Sequence, residues 1–318
     1  MEITRVAVIF KSLIFLLIIV LGNALSLNHY EQTCPIAELT VAKVVKEATA
    51  KDKTVPATLL RMHFHDCFLR GCDASILLNS KVKKAEKDAP PNASLHAFYV
   101  IDEAKKEVEA MCPGVVSCAD ILAFAARDSV VLSGGPYWDV PKGRKDGRIS
   151  RASETAKLPS PAFNVSQLEH HFSLRGLNTD DIVALLGAHT LGFAHCSSFS
   201  NRIHNFNATH DVDPTMRPSF AARLKSICPA NKKLKNAGAS MDPSSSGTFD
   251  NNYYKLIIQR NSLFYSDQAL LTTQRTKDLV YKFATSKHTF RRDFVKSITK
   301  MSSITGGQEI RRDCRMAN

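Results

Sequence analysis

The chain has 318 residues, 44% of them hydrophobic, which is enough for one large core or for two lobes that close on a cofactor. The formal net charge is +12, which indicates either an acidic partner or a merely solvated basic surface. Nucleic acid is not expected as the partner, because the basic runs at 81–84, 232–235 and 311–312 lack interleaved aromatic residues.

The first predicted element is an apolar segment near the N-terminus. Residues 13–21 are apolar, and Arg5 and Lys11 precede them. This pattern is typical of a signal peptide, and its apolar core is too short to span a bilayer comfortably. We therefore predict a signal peptide over 1–26 and a single domain over 27–318, without a membrane anchor.

A helix is predicted to begin at Pro56 and to continue through a dense apolar face. On this helix Arg61 and His65 are four residues apart and share one face, with Phe64 beside them. His63 is rotated by about 200° from His65, so the two histidines do not bind one metal ion. A packed core histidine with a surface arginine remains the alternative to a functional pair.

The residues after His65 combine two carboxylates, a hydroxyl and a tight turn, supplied by Asp66, Asp73, Ser75 and Gly71. Calcium takes about six to eight oxygen ligands, and a glycine allows backbone carbonyls to turn toward the ion. The segment therefore predicts a calcium site, with an ordinary polar turn as the alternative.

Several other stretches have apolar residues at helical spacing, and no internal repeat or long linker divides them. Asn178 or Thr179 is predicted to cap one of these helices, and 231–247 is predicted to be a surface loop. The remaining predicted helices are 36–51, 98–111, 118–132, 164–175, 178–186, 252–258 and 276–286. The architecture is thus expected to be one all-α unit.

Two histidine motifs have a recognisable form. Residues 59–67 are Leu-Leu-Arg-Met-His-Phe-His-Asp-Cys, and residues 187–192 are Gly-Ala-His-Thr-Leu-Gly. With the blocks at 112–122, 134–138 and 249–254, they make the chain resemble the class III secretory plant peroxidases from about residue 30 to 314. The resemblance implies a haem peroxidase fold in which distal and proximal helical lobes enclose one haem b.

The resemblance also implies roles for particular residues. His189 would ligate the haem iron and donate its other ring N–H to Asp267. His65 would be the acid and base toward hydrogen peroxide, Arg61 would stabilise developing charge, and Asn92 would orient His65. Phe64 would occupy the catalytic position where intracellular relatives usually have tryptophan, so that oxidising equivalents would rest on iron and porphyrin. The Pro159 carbonyl would meet reducing substrates at the haem edge.

Two calcium sites are implied by the same resemblance. The first set of ligands is Asp66, Leu69, Gly71, Asp73 and Ser75. The second set is Thr190, Asp242, Ser245, Thr248 and Asp250. Asp120 and Arg144 would form a buried ion pair, and Trp138 is expected to fill the core.

Eight cysteines in a secreted chain indicate four disulfides, but the sequence alone leaves their pairing open. The resemblance implies the pairs Cys34–Cys112, Cys67–Cys72, Cys118–Cys314 and Cys196–Cys228. Of the three glycosylation sequons, those at Asn164 and Asn207 are expected to carry sugar. The third, at Asn92, would lie in the buried pocket.

The resemblance implies a secreted, monomeric peroxidase that reduces hydrogen peroxide and oxidises phenolic donors such as lignin precursors. Its roles would be lignification, wall cross-linking, peroxide removal and the response to oxidative stress. Its surface partner would be acidic wall polysaccharide. The few residues after Cys314 favour the cell wall or apoplast over the vacuole. Two alternatives remain, which are a cationic wall-binding haem protein with little turnover and a zinc hydrolase using His63 or His65.

Overall fold

The computed structural model describes residues 25–230 and 236–318. Most of the predicted signal peptide lies outside these residues. Ser26 already belongs to the folded part, because it exchanges two backbone hydrogen bonds with Lys142, of 2.9 and 2.8 Å. No helix in the described ranges is both long and apolar enough to cross a bilayer.

The described residues are mainly helical. The α-helices are α1 (Ala37–Lys51), α2 (Val55–Arg70), α3 (Phe98–Met111), α4 (Cys118–Leu132), α5 (Val165–Ser173), α6 (Thr179–Leu186), α7 (Ser200–Ile203), α8 (Pro218–Ile227), α9 (Asn252–Ile258), α10 (Tyr265–Ala269), α11 (Gln274–Thr285) and α12 (Lys287–Ser302). Strands β1 (Phe193–His195) and β2 (Gly238–Ser240) pair antiparallel. Short 3-10 helices include Ser75–Leu77, Glu86–Asp88, Pro90–Asn92, Ala152–Lys157 and Gly187–Thr190.

Helix α2 is the centre of the N-terminal half. Twelve of its sixteen residues are buried, so other elements enclose this helix on most of its sides. It packs most closely against α4, while α1 contacts α2, α3 and α4. Pro56 lies in its first turn, where the missing N–H has no helical partner to lose.

The C-terminal half is built around α6, α9, α11 and α12, which pack on one another. Its interior contains an aromatic cluster in which Phe249 stacks on Phe290 at 5.4 Å and contacts Phe294 at 4.8 Å. One hydrophobic core is continuous through both halves. A smaller core lies beside the β1–β2 ribbon and includes Phe199, Ile203, Met216, Leu224 and Leu263.

The predicted helices agree closely with the observed ones. Helices α3, α4 and α9 have the predicted bounds, and α1, α5, α6 and α11 differ by one or two residues at an end. Asn178 caps α6, since its side chain accepts a hydrogen bond from the backbone N–H of Asp181 at 3.1 Å.

Three details differ from the sequence prediction. Helix α2 continues to Arg70, so Asp66 and Leu69 are helical and the turn begins only at Gly71. Helix α12 was not among the predicted helices, although Phe290, Phe294 and Ile298 line its buried face. The β1–β2 ribbon is a small departure from an all-α fold, and β2 lies within the predicted surface loop.

All four predicted disulfides are present. They join Cys34 to Cys112, Cys67 to Cys72, Cys118 to Cys314 and Cys196 to Cys228. The first bridge joins the end of α3 to the segment before α1, and the third joins the C-terminal segment to the start of α4. The second closes the turn after α2.

The predicted ion pair of Asp120 and Arg144 is fully buried, with 2.8 Å between Oδ1 and Nη1. The second carboxylate oxygen of Asp120 accepts hydrogen bonds from the Tyr30 hydroxyl and the Gly143 N–H. Removing one partner of a buried pair leaves an uncompensated charge in the interior. The single tryptophan, Trp138, is also buried, as expected.

We expect Asp120→Ala to lower the free energy of unfolding by about 3–5 kcal/mol, because the Arg144 guanidinium loses its counter-charge. Denaturant unfolding with the disulfides intact measures this loss. As a control, Asp313→Ala removes the partly exposed partner of the exposed Arg315 and should cost about 0–1 kcal/mol. Equal losses in the two variants would contradict the importance of the buried pair.

Candidate active site

His65 lies on the buried face of α2 and is oriented by a hydrogen-bond chain. Its Nδ1 is 2.5 Å from Oδ1 of Asn92, and Nδ2 of Asn92 donates to the Glu86 carbonyl at 2.8 Å. The side-chain nitrogen of Asn92 donates to Glu86, so the side-chain oxygen of Asn92 is the atom that faces His65. This oxygen can only accept a hydrogen bond, and Nδ1 of His65 is therefore the protonated ring nitrogen. Nε2 of His65 is therefore the proton acceptor.

The environment keeps His65 neutral. Burial, followed by the positive charge of Arg61, lowers the pKa of His65 to about 3. A neutral His65 is able to accept a proton at physiological pH.

Arg61 lies one helical turn before His65 and is held by two hydrogen bonds. Its Nη1 donates to the Ser94 hydroxyl at 2.8 Å and its Nη2 donates to the Pro91 carbonyl at 2.6 Å. The guanidinium is thus fixed by the same segment that contains Asn92. Phe64, half-buried, packs against Phe68 and lies edge-on to His65.

His189 lies in the 3-10 turn that follows α6, and Asp267 lies in α10. Nδ1 of His189 donates to Oδ1 of Asp267 at 3.0 Å, so that in the neutral ring Nε2 is the nitrogen with the free lone pair. No residue within 25–230 or 236–318 forms a hydrogen bond with this Nε2. The Phe264 ring packs edge-on against the imidazole at 5.3 Å.

The two histidine segments approach each other directly. A Cβ atom added to Gly192 would lie 3.4 Å from the Cβ of Ala57, which is on α2. His189 and His65 each use Nδ1 for an orienting hydrogen bond and leave Nε2 free of described protein partners. A haem iron takes one histidine nitrogen as its axial ligand, and this arrangement fits that group.

The first calcium set surrounds the end of α2. Asp66 accepts hydrogen bonds from the N–H of Ala74 at 2.9 Å, and Asp73 accepts from the N–H of Ser75 at 3.0 Å. The hydroxyl of Ser75 donates to Glu86 at 3.1 Å. The carboxylates of Asp66, Asp73 and Glu86 therefore share one buried region.

Without a cation, ionisation of these three carboxylates is unfavourable, because they are buried and repel one another. Burial, then the charges of Asp73 and Glu86, raises the pKa of Asp66 well above its usual value. Burial, then Asp73, raises the pKa of Glu86 to about 8. One oxygen of Glu86 is buried with no partner among the described residues. This donor set fits a hard divalent cation.

Gly71 makes the turn of this site possible. Its φ is +91°, and a Cβ there would lie 2.8 Å from the backbone of Thr305. A side chain at this position would be both strained and crowded. The Leu69 carbonyl also accepts a hydrogen bond from Arg175, and its second lone pair remains available to a metal.

The second calcium set also comes together. The Thr190 hydroxyl lies 3.4 Å from both the Thr248 carbonyl and Oδ1 of Asp250, and the Ser245 hydroxyl donates to Asp242 at 2.8 Å. Asn252 joins these two groups, since its Nδ2 donates to Asp242 and its backbone N–H donates to Asp250. The sequence analysis did not assign Asn252 a role.

The pKa of Asp242 is lowered although burial acts to raise it, because hydrogen bonds from Asn252, Ser244 and Ser245 outweigh the burial. Asp242 is therefore ionised at neutral pH. The five residues of the second calcium set all supply oxygen atoms, which fit a second hard cation. One of them, Thr190, directly follows His189 in the sequence.

Pro159 follows the 3-10 helix Ala152–Lys157 and is half-buried. Two residues later, the Pro161 carbonyl accepts a hydrogen bond from the N–H of Ser266, the residue before Asp267. The Pro159 loop is thereby attached to the helix that contains the partner of His189. No hydrogen bond joins Pro159 itself to His65 or Arg61 within the part of the chain described.

The zinc alternative is not supported by the geometry. His63 is buried and its Nε2 lies 2.7 Å from the Ser302 hydroxyl, whereas His65 is bonded to Asn92. The one group of potential ligands found among the described residues combines His63 with Cys67 and Cys72. Because those two cysteines form a disulfide, they provide no thiolate for zinc.

Comparison with known proteins identifies the family of this chain. A family model described as "Peroxidase" matches residues 41–286. Peroxidase 64 of Arabidopsis thaliana is 63% identical over 295 residues, covering 92% of this chain and 93% of the relative. Peroxidase 66 of the same plant is 54% identical over 283 residues, which is 88% of each chain. Peroxidase 5 of Vitis vinifera is 47% identical over 314 residues, 96% of this chain and 95% of the relative. The chain therefore belongs to the peroxidase family, in its plant secretory class, and is an enzyme that reduces hydrogen peroxide.

Proposed function

We propose that this peroxidase holds one haem on His189 and uses His65 and Arg61 to process hydrogen peroxide while oxidising phenolic donors in one-electron steps. The observation that supports this most directly is the pair of oriented imidazoles, each with Nε2 free of described protein partners. When bound, a haem supplies an iron centre that stores the oxidising equivalents of peroxide.

His65 is the proton carrier in this proposal. Its unprotonated Nε2 would accept a proton from one oxygen of hydrogen peroxide and return it to the other, which would leave as water instead of hydroxide. The two electrons that this O–O cleavage needs would come from the haem when it is bound. Asn92 holds Nδ1 and thereby keeps Nε2 in the accepting tautomer. Arg61, fixed by Ser94 and Pro91, places a permanent positive charge beside the O–O bond as negative charge develops.

His189 and Asp267 form the opposite side. The hydrogen bond to the Asp267 carboxylate fixes the ring orientation of His189 and increases the electron density on Nε2. A more basic ligand of this kind favours breakage of the O–O bond over reversible oxygen binding. Phe64 is proposed to pack against the haem, and Pro159 to offer its carbonyl to donors at the haem edge.

Two calcium ions are proposed to stabilise the two sides of the pocket. The first would be held where Asp66 directly follows His65, and the second where Thr190 directly follows His189. Each ion would therefore fix the chain next to one of the two functional histidines.

Calcium removal is expected to lower both stability and activity. A ligand present at a hundred times its Kd contributes about 2.7 kcal/mol, and loss of both ions from a chain of this size corresponds to a Tm loss of roughly 5–10 °C. Differential scanning calorimetry and a peroxidase assay before and after exhaustive EGTA treatment measure both effects, and added Ca²⁺ should reverse them. Unchanged Tm and rate would show that the proposed calcium sites are wrong.

Phenolic donors are expected to be oxidised with a higher kcat/KM than ascorbate. A steady-state panel of monolignols, guaiacol-like phenols and ascorbate, with secreted and calcium-replete enzyme, checks this expectation. A preference for ascorbate would overturn the proposed donor class while leaving the peroxide chemistry intact. Lignification, wall cross-linking and removal of peroxide in oxidative stress are the proposed roles.

Export from the cell, a monomeric state and action in the cell wall or apoplast are part of the same proposal. Four disulfides suit an oxidising compartment, and the paired Ser26 favours signal-peptide cleavage ahead of this residue. Asn164 and Asn207 are exposed and open to glycosylation, whereas Asn92 is buried against His65.

Acidic wall polysaccharide is the proposed surface partner, with no role for nucleic acid or membrane. Of the predicted basic runs, the lysines within 81–84 are exposed, and 232–235 lies outside the described residues. In the run at 311–312 only Arg312 is exposed to a surface partner. Arg311 is buried and donates to the Ala74 carbonyl.

A further inference from the structure

The carboxylate of Asp267 accepts a second hydrogen bond that the sequence analysis did not assign. The hydroxyl of Tyr253 donates to Oδ1 of Asp267 at 2.9 Å, and this is the same oxygen that accepts Nδ1–H of His189 at 3.0 Å. Oδ2 of Asp267 is buried and has no partner among the described residues. Both donors therefore converge on one atom.

We propose that Tyr253 is a positioning residue that limits the hydrogen bond between Asp267 and His189 and so tunes the electron donation of the proximal ligand. This inference rests on the proposed ligation of haem iron by His189. It concerns a residue outside the set of ligands and acid–base groups described above.

The physical reason is competition for one acceptor. A carboxylate oxygen that already accepts a phenol O–H has less negative charge to offer an imidazole N–H. With Tyr253 in place, the proton on Nδ1 of His189 is drawn less strongly toward Asp267. Nε2 of His189 then stays closer to a neutral imidazole than to an imidazolate.

The local structure holds Tyr253 firmly in this role. Its side chain is 2% exposed, and its ring packs edge-on to His189 with 6.0 Å between centroids. Tyr253 belongs to α9, whose first residue, Asn252, donates hydrogen bonds to Asp242 and Asp250 of the second calcium set. The tyrosine hydroxyl is consequently anchored from the same segment that is tied to Thr190.

Tyr254 provides a matched control within the same helix. It is also buried, but consecutive helical residues are about 100° apart, and its hydroxyl donates to the Val183 carbonyl at 2.9 Å. Tyr253→Phe and Tyr254→Phe each remove one buried hydroxyl from adjacent positions. Only the first removes a donor from Asp267.

The test compares both variants with the wild-type holoenzyme. The readouts are the iron–histidine stretching frequency in the resonance Raman spectrum of the ferrous enzyme, and the ferric/ferrous midpoint potential. We expect Tyr253→Phe to raise the frequency and make the potential more negative, because Asp267 then accepts more strongly from His189. Tyr254→Phe should leave both values at the wild-type level, and Asp267→Asn should move both in the opposite direction.

Two results would overturn the inference. One is a Tyr253→Phe enzyme with an unchanged or lowered stretching frequency, and the other is an equal shift in Tyr254→Phe. Failure of the underlying haem proposal would look different, since the wild-type protein itself would then lack an iron–histidine band. Haem content of each variant, measured from its Soret absorbance, separates altered tuning from altered binding.

Discussion

His65→Ala should slow the reaction of the enzyme with hydrogen peroxide by about 10²- to 10⁴-fold, the usual contribution of a positioned acid–base group. The variant loses the Nε2 that accepts the peroxide proton, while Arg61 and the proximal side remain in place. Stopped-flow absorbance in the Soret region, at increasing peroxide concentrations, gives the second-order rate constant directly. Donor oxidation at saturating peroxide should be much less affected.

The control for this prediction is His170→Ala, which removes an exposed histidine from α5 and should leave the rate constant unchanged. The altered His65 variant should also retain its haem, since His65 is not proposed to bind the iron. A His65→Ala rate constant within about threefold of the wild-type value would exclude His65 as the acid and base. The alternative of a cationic wall-binding protein with little turnover predicts instead that His65→Ala leaves the biological activity intact.

His189→Ala should abolish both haem retention and turnover, because the only proposed bond from the chain to the iron is lost. Purified protein should show a Soret-to-protein absorbance ratio far below that of wild type and peroxidase activity reduced by about 10³-fold or more. Calcium-replete protein is used, so that loss of the neighbouring Thr190 site is not the cause of the change.

Asp267→Asn is the matched comparison, since it keeps His189 but weakens its orienting hydrogen bond. This variant should retain haem and lose about 10- to 100-fold in activity, as is typical when a partner of a metal ligand is changed. Wild-type haem content and activity in His189→Ala would show that another residue binds the iron.

Much of this site was predictable because it depends on local spacing. Arg61 and His65 share a face through a four-residue interval, and the resemblance supplied the pairing of His189 with Asp267 across 78 positions. The residues of each predicted calcium set lie in or beside a recognisable block, and the hydrogen bonds of the structure bring members of each set together. Helix bounds followed from apolar periodicity, as in α3 and α4.

Other features depend on tertiary contacts that no local pattern specifies. The apolar spacing of α12 was present in the sequence but was masked by its many basic residues, and only packing on α6 makes it a core helix. Arg311 looked like part of a basic surface run, yet it is buried against Ala74. The hydrogen bonds of Tyr253 and Asn252 depend on how α9 meets its neighbours.

The visible absorption spectrum of the secreted, calcium-replete protein tests the central proposal most directly. An iron porphyrin held by His189 with His65 on the opposite side predicts a Soret band equivalent to one haem per chain, which shifts when hydrogen peroxide is added. A colourless preparation with full peroxidase activity would contradict the account.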